Sequence, residues 1–293
     1  MKLSLYNAIL KTLTHSKMRK DQWVSAQKLK FTDVSEDTLL SIYSQYQQRK
    51  VKKNFPKHHR KENVAKYYIR FLDSMQRHER QGFLVRSAHN IDFPPTLLAR
   101  IILEEYFKET TFSDTGTIPK GYVSKYIKDP SLVPDAVVRR EVELCVSEDD
   151  ICGPYVDALK HESGLKYEKI LHDLLTERDI PYSDEEVLRK EGYDKTPDFK
   201  LVIPIGVNNR VVNWIESKAS FGDEESHSGY LANQFWSYTN RYGPGLVIYW
   251  FGFIEELNVN IEQGIMLVDR FPNDVVPLET LLDEDEEKFV LML

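Results

Sequence analysis

The chain has little cysteine and lacks long apolar runs. Cys145 and Cys152 are the only cysteines in 293 residues, which fits a reducing compartment, and we interpret both as structural residues rather than metal or redox ligands. No apolar run approaches the roughly 20 residues that a membrane span requires. The first residues also lack the apolar stretch of a secretory signal. We therefore expect a globular protein with no membrane partner. The chain is long enough for one large domain or two modest domains.

The small net charge of -7 hides an asymmetry. Residues 1–90 contain 19 Lys and Arg against 7 Asp and Glu, whereas the remainder contains 20 against 39. A dense basic cluster flanks Asn54-Phe55-Pro56 and comprises Arg49, Lys50, Lys52, Lys53, Lys57, Arg60 and Lys61. Such a cluster can bind along a phosphate backbone or act as a nuclear import signal. The alternative interpretation is the solvated basic end of a helix with no partner. We predict nucleic-acid contact and nuclear localisation, with a cytoplasmic pool left open.

Apolar positions at helical spacing predict helices around 34–46, 64–75 and 91–107. Short helices joined by tight turns and carrying clustered positive charge suggest helix-turn-helix-like modules, although helical bundles without a nucleic-acid role share this pattern. Turn residues and prolines punctuate the segment that follows. We predict a basic, helix-turn-helix-like helical domain over 1–112, a connector over 113–150, and an α/β domain with an acidic C-terminal tail over 151–293.

The second half begins with a hairpin pattern. Residues 199–203 are strand-like, the polar segment 206–210 can turn the chain, and residues 211–215 run back. Pro204 fits only at the end of the first strand or at a bulge. Further on, the apolar run 245–251 predicts a strand buried on both faces, and 264–268 predicts another. These elements argue for a mixed α/β sheet.

The hairpin ends carry Asp198, Glu216 and Lys218. Because side chains alternate along a strand, Glu216 and Lys218 share a face while Ser217 points away, and a two-strand ribbon can bring Asp198 beside them. Two carboxylates, with the Ser217 backbone carbonyl, would supply hard oxygen ligands for Mg²⁺. Lys218 would orient water or offset developing charge. The alternative is a solvated strand edge with no chemical role.

Two flanking helices add candidates. Glu168 lies on an apolar-periodic helix before the hairpin, where it could extend a metal site or merely face the helix dipole. Gln234 and Tyr238 are four residues apart, hence on one helical face, and could hydrogen-bond the site or a nucleic-acid backbone. Their alternative is a half-buried aromatic helix. Between hairpin and helix, residues 222–229 predict a mobile polar loop that shapes access.

In order and spacing, Thr196-Pro197-Asp198, Glu216-x-Lys218, Glu168 and Gln234-x-x-x-Tyr238 resemble the PD-(D/E)xK, or restriction-endonuclease-like, nuclease superfamily in its TPD branch. The catalytic resemblance covers roughly residues 150 to 270. It implies a mixed sheet flanked by helices, here preceded by an all-α N-terminal domain. It also implies Mg²⁺ dependence, with Mn²⁺ as a substitute, phosphodiester hydrolysis, and a codanin-like protein partner.

Three hypotheses follow. The first is a Mg²⁺-dependent nuclease acting on DNA, favoured over RNA, or on structured nucleic acid. The second is an adaptor that retains a nuclease fold and works mainly by binding its partner, for which the acidic C-terminal half and the apolar end 289–293 are usable surfaces. The third is a helical nucleic-acid-binding protein with an inert α/β appendage, which requires the Asp198, Glu216 and Lys218 trio to be accidental.

Overall fold

The computed structural model describes residues 1–14, 16 and 18–278; the predicted acidic tail and apolar end lie outside these residues. The chain forms two compact units. The sheet unit comprises residues 1–42 together with those from 162 onward, and the helical unit comprises residues 43–161. The sequence-based domain division at 112 and 150 stays a prediction, and these units divide the chain at other positions. No described helix has the length and apolar character needed to cross a membrane.

The helices, in chain order, are α1 (Leu3–Thr14), α2 (Lys20–Lys30), α3 (Glu36–His58), α4 (Lys61–Gln76), α5 (Phe83–Asn90), α6 (Pro95–Thr110), α7 (Tyr122–Lys128), α8 (Ala136–Glu148), α9 (Pro154–Glu177), α10 (Glu185–Lys190), α11 (Glu224–Tyr230) and α12 (Trp236–Tyr242). The strands are β1 (Tyr182–Asp184), β2 (Phe199–Val207), β3 (Arg210–Lys218), β4 (Gly245–Tyr249), β5 (Ile265–Val268) and β6 (Val275–Pro277). The helices predicted around 34–46, 64–75 and 91–107 are confirmed as α3, α4 and α6, and the buried strands predicted over 245–251 and 264–268 as β4 and β5.

One mixed sheet of six strands organises the sheet unit. Its order is β1-β2-β3-β4-β5, with β6 beside β2; β1, β2 and β3 pair antiparallel, whereas β3, β4 and β5 pair parallel. The predicted hairpin is confirmed, and its two-residue turn holds Asn208 and Asn209 at φ 50° and 57°, conformations that Asn tolerates in tight hairpins. A register shift between Lys200 and Ile205 places Pro204 in the irregular part of β2, as its missing N–H requires.

Each face of the sheet is covered by a helical layer. On one face, Leu171 and Leu175 of α9 pack with Ile215 and Ile248. On the opposite face, Tyr238 of α12 packs with Trp214, whose ring lies so close to the chain that a side chain at Gly245 would begin 2.1 Å from it. This helix, sheet and helix layering confirms the predicted mixed α/β class.

The N-terminal residues of the sheet unit pack beside the strand ends. Tyr6 of α1 stacks on Phe221 at 5.6 Å and donates a hydrogen bond to Asp223 at 3.2 Å. Thr38 of α3 donates to the Phe251 carbonyl at 2.7 Å. Asp223 also accepts the Ser226 N–H and caps α11. The prediction of a mobile loop over 222–229 is therefore wrong, because a capped helix forms there.

The helical unit has its own core, built from α4 to α8. Two buried acids satisfy helix N-termini inside it. Glu141 accepts the N–H groups of Gly82 at 2.6 Å and Leu84 at 2.9 Å, at the start of α5, and Asp149 accepts the N–H of Thr96 at 2.9 Å in the first turn of α6. Both acids lie in the segment predicted as a connector. Their carboxylates accept the backbone N–H groups that have no partner within the first turn of a helix and would otherwise bind water.

Candidate active site

The hairpin brings Asp198 directly beside Glu216. Phe199 pairs with Ile215 in an antiparallel register, so the residues one step outward on each strand face each other. Two backbone hydrogen bonds fix the carboxylates: the Ser217 N–H donates to Asp198 Oδ2 at 2.7 Å, and the Asp198 N–H donates to Glu216 Oε2 at 3.3 Å. The two acids are thus held by the strands rather than by flexible loops.

Lys218 completes the cluster on the same strand. Its Nζ donates to Glu216 Oε1, and the side chains are only 15% and 3% exposed. The ammonium also lies over the rings of Tyr230, at 4.6 Å, and Phe235, at 5.9 Å, which favours the charged form. Ser217 turns its hydroxyl to the other face, where it accepts from Trp250 Nε1 at 2.9 Å. The predicted alternation of side chains between the two faces of β3 is confirmed.

Burial dominates the electrostatics of this trio. Burial, reinforced by the charge of Glu216, raises the pKa of Asp198 well above its usual range. Burial also raises the pKa of Glu216, although Lys218 opposes the shift. Burial disfavours the Lys218 ammonium, but Glu216 and Asp198 outweigh it and raise the pKa of that lysine. One ammonium, bonded to Glu216, faces two neighbouring carboxylates in a desolvated place, so additional positive charge would stabilise them.

Glu168, on α9, lines a cavity next to Asp198. Asp184 and Glu185 also line this cavity of about 330 Å³, and the charge of Glu168 contributes to raising the pKa of Asp198, after burial and Glu216. The neighbouring Tyr167 ring packs against Trp250, the residue that follows β4, which ties this turn of α9 to the sheet. The predicted helix is confirmed as α9, and of the two predicted roles for Glu168 its position beside Asp198 favours the one at the site.

Gln234 and Tyr238 lie on the helical layer over the site, with one departure from the predicted regular helix. Residues Leu231–Phe235 form a π-helical turn before α12, a feature often found at functional sites. Burial, together with the nearby Glu216 and Asp198 carboxylates, raises the pKa of Tyr238. Within the described part of the chain, the Gln234 Oε1 atom is buried without a hydrogen-bond partner, so it can accept from a ligand or water.

The donor set suits a hard cation with an incomplete protein shell. Among residues 1–14, 16 and 18–278, no group of three or more His, Cys, Asp or Glu side chains is gathered closely enough to hold a metal ion. The site instead offers two neighbouring carboxylates, Asp198 and Glu216, and Glu168 lines the same cavity as Asp198. Mg²⁺ is commonly bound by one or two carboxylates and keeps several waters. The residues present therefore fit Mg²⁺ in number and chemistry.

His227 is a buried residue that the sequence did not single out as part of the site's support. Its Nδ1 atom lies 3.0 Å from the Tyr249 hydroxyl, and Tyr249 pairs with Lys218 across the sheet. Burial lowers the pKa of His227 to about 4, so the ring is neutral near pH 7. His227 and Tyr230 are three residues apart, a spacing that predicts one face of a helix. The polar composition of 222–229 favoured a loop instead.

The basic cluster lies in the helical unit, on α3 and the start of α4. Its members Lys52, Lys53, Lys57, Arg60 and Lys61 are exposed. Arg49 and Lys50 are half-buried, and Lys50 pairs with Asp92 at 2.6 Å. Between them, His58 is buried and bonded to the Tyr67 hydroxyl at 2.9 Å, which makes it a structural residue. These five basic side chains lie at the surface of the helical unit.

Fold and site together define a mixed α/β protein with a desolvated pair of carboxylates and a lysine at the end of a hairpin. A family profile described as "Protein of unknown function TPD sequence-motif" matches residues 134–271. The chain is 45% identical over 266 residues to CDAN1-interacting nuclease 1 of Xenopus laevis, covering 91% of this chain and 87% of the relative. It is 45% identical over 256 residues to the Homo sapiens protein of that name, covering 87% and 90%.

A third relative, CDAN1-interacting nuclease 1 of Gallus gallus, is 42% identical over 274 residues, covering 93% of this chain and 95% of the relative. Identity at this level extends over both compact units rather than over the profile-matched region alone. The chain belongs to the CDAN1-interacting nuclease 1 family. No solved structure matches it significantly.

Proposed function

We propose that this chain is a metal-dependent nuclease of the PD-(D/E)xK type that hydrolyses phosphodiester bonds in DNA or structured nucleic acid. The observation that carries the proposal is the hydrogen-bonded set of Asp198, Glu216 and Lys218: the Lys218 ammonium contacts the buried Glu216 carboxylate, and backbone N–H groups hold Asp198 beside it. A purely structural strand end would gain nothing from this arrangement, since burying two like charges costs free energy. The relatives are named nucleases, which supports the same activity.

Asp198 and Glu216 would hold Mg²⁺ or Mn²⁺, with the Ser217 backbone carbonyl and Glu168 extending the ligand set. When bound, the ion supplies Lewis-acid polarisation of the phosphoryl group and a bound water of lowered pKa. Backbone dipoles keep the acids in place: the Ser217 N–H of β3 donates to Asp198, and the Asp198 N–H, one residue before β2, donates to Glu216. The acids therefore need little rearrangement to receive a cation.

Lys218 would stabilise negative charge that builds on the phosphate or orient the attacking water. Its ammonium is held by Glu216 and by the Tyr230 ring, so its position is set before substrate arrives, and in a desolvated site such charge acts strongly. Gln234 would accept a hydrogen bond from substrate or its water through the buried, unpartnered Oε1. Tyr238 would stay a neutral phenol and donate to a phosphate oxygen.

The helical unit would supply affinity, and a protein partner would act with the enzyme. The exposed basic cluster of α3 and α4 can neutralise backbone phosphates without reading sequence. The curated relatives are named as CDAN1-interacting, and we extend a codanin-like partner to this chain. A nuclear location follows from the same basic cluster read as an import signal.

The test is cleavage of end-labelled single-stranded, duplex and flapped DNA, and of the matching RNAs, with Mg²⁺, with Mn²⁺ and with EDTA. The proposal expects cleavage that EDTA stops and that Asp198→Asn and Lys218→Met abolish. Glu262→Gln is the matched control, because Glu262 is an exposed acid paired with Arg210 and lies outside the cavity that Asp198 lines.

Absence of cleavage on every substrate by folded protein, alone and with codanin, would contradict the nuclease and favour the adaptor. In that case partner binding would survive Asp198→Asn, since an adaptor needs the fold and a surface but not the carboxylate. Binding that fails together with the site variants would instead place the partner at the site.

A further inference from the structure

Aromatic and basic side chains gather beside the site on the face of the sheet that carries Glu216. Lys200 lies on β2, two residues after Asp198, so both project from the same face. Arg241 lies on α12, three residues after Tyr238, so it is a neighbour on the helix surface. With Tyr193 and Tyr242, the residues Lys200 and Arg241 form what we name the aromatic–basic cluster.

The members of the aromatic–basic cluster are in mutual contact. The Arg241 guanidinium lies 5.1 Å from the ring centre of Tyr193 and 5.8 Å from that of Tyr242. Lys200 Nζ lies 5.9 Å from the Tyr242 ring, and the two tyrosine rings meet edge to face at 5.9 Å. Cations interleaved with aromatic faces are the composition of surfaces that bind unpaired nucleotides.

Packing alone does not account for the cluster. Arg241 does anchor the neighbouring loop, because it donates to the Lys195 carbonyl at 2.8 Å and to the exposed Asp194 at 3.3 Å. Yet Tyr193 remains 37% exposed and the Arg241 side chain 34% exposed. An exposed pair such as Arg241 with Asp194 contributes little to stability, so the guanidinium can exchange that carboxylate for a phosphate at small cost.

We propose that the aromatic–basic cluster binds an unpaired strand of nucleic acid leading to the carboxylate site. A base stacks on the exposed Tyr193 ring, while Arg241 and Lys200 contact backbone phosphates. The inference rests on the proposed nuclease function and deepens it, because it assigns the substrate class: single-stranded DNA or RNA, or a duplex with a frayed or flapped end. A fully paired end cannot offer a free base face to the ring.

The test is fluorescence anisotropy with a labelled oligothymidine of about twelve nucleotides, within the span of one such single-strand site. The full chain carries Asp198→Asn so that binding is measured without cleavage. Adding Tyr193→Ala weakens binding by roughly fivefold or more, the effect of losing one stacked base, while Tyr193→Phe keeps the ring and stays within about twofold. Tyr155→Ala is the control, since Tyr155 is 64% exposed in the helical unit.

Three further arms sharpen the result. An abasic oligonucleotide of the same length removes the difference between the parent and Tyr193→Ala, because nothing remains to stack. Lys200→Met reduces the dependence of log affinity on log salt by about 0.7, the value for one phosphate contact on a single strand. Oligouridine in place of oligothymidine separates RNA from DNA, and a blunt duplex of equal length binds less tightly than either.

Equal affinities for Tyr193→Ala and parent, with unchanged Tm, would overturn the inference, as would a Tyr193 effect that persists on the abasic strand or is equal on blunt duplex. If Tyr193→Ala lowers Tm, Tyr193→Leu replaces it: Leu fills space without a π face, and it must weaken binding where Phe does not. Failure of the nuclease proposal looks different, because wild type would then cut nothing while the Tyr193 effect on binding remained.

Discussion

The chain carries two charged regions that follow opposite rules. In the site, Lys218 and Glu216 are 15% and 3% exposed and determine each other's ionisation. In the basic cluster, Lys52, Lys53 and Lys57 are exposed to solvent. Desolvated charges depend steeply on their partners, whereas solvated charges act independently and are screened by salt. Single substitutions should therefore be severe in the first region and mild in the second.

The largest expected effect is loss of cleavage in Asp198→Asn. The substitution keeps an oxygen that can accept the Ser217 N–H but removes the carboxylate charge that a cation requires. We expect no measurable cleavage, and in metal-free buffer a Tm at least as high as that of wild type, because the repulsion with Glu216 is gone. Differential scanning fluorimetry beside the cleavage assay checks both; a clear fall in Tm would mean that the two carboxylates are not strained by each other.

Next is the stability of Lys218→Met. This change leaves Glu216 and Asp198 buried without their ammonium, and removal of one partner from a buried pair costs about 3–5 kcal/mol. Urea unfolding measures the free energy of unfolding. Lys190→Met is the matched control, because Lys190 pairs with Glu186 on an exposed helix face with 72% of its side chain accessible, and we expect no measurable change there. Similar losses in the two variants would erase the contrast between buried and solvated charge.

Metal addition should act on the buried region alone. A ligand that binds only the folded state at a hundred times its Kd stabilises by about 2.7 kcal/mol. Millimolar Mg²⁺ is expected to raise the Tm of wild type, and the rise should be absent in Glu216→Gln. A rise of the same size in that variant would mean that Mg²⁺ binds elsewhere, for example to the acidic surface.

A fourth prediction concerns His227, the buried neutral ring beneath the site. Its folded pKa is about 4, below the ordinary 6.5 of the unfolded chain, so its contribution to stability is complete above pH 6.5 and is lost as pH falls toward 4. His227→Gln should flatten this part of the stability profile. His89 is exposed, so His89→Gln should follow the wild-type dependence of stability on pH. A flattened profile in both variants would contradict the assignment of this pH dependence to the buried His227.

The smallest expected effect belongs to the basic cluster. Lys53→Gln should weaken nucleic-acid binding equally for all sequences and lower the salt slope on duplex by about 0.9, the value for one phosphate contact. Titrations at several salt concentrations measure the slope. Lys11→Gln, in α1 and outside the basic cluster, is the comparison; an unchanged slope in Lys53→Gln would remove the cluster from the interface.

The parts of this structure that follow from local rules were predictable. The period of two along β3 places Glu216 and Lys218 on one face, and Pro204 marks the irregular stretch of β2 because it lacks a donor. Predictions were wrong where a remote partner decides. The polar composition of residues 222–229 is typical of a loop, yet Asp223 caps the helix α11 there. Asp223 also accepts a hydrogen bond from Tyr6, more than 200 residues away in the chain.

The site shows the same limit. The pair Gln234 and Tyr238 was expected on a regular helix, and no local pattern announces the π-helical turn at Leu231–Phe235. The helical unit adds Glu141, whose role as a cap depends on α5, some 60 residues earlier. Spacing predicts which residues share a face; it does not predict which distant backbone donors will meet them.

The nuclease proposal requires that Asp198 and Glu216 form a cation-dependent hydrolytic site. The most direct measurement is the time course of cleavage of a labelled flapped DNA by wild type and by Asp198→Asn in Mg²⁺, each shown to be folded by its Tm. We expect cutting by wild type that stops on addition of EDTA, and no cutting by the variant. Cutting by Asp198→Asn at the wild-type rate, or cutting by wild type that persists in EDTA, would contradict it.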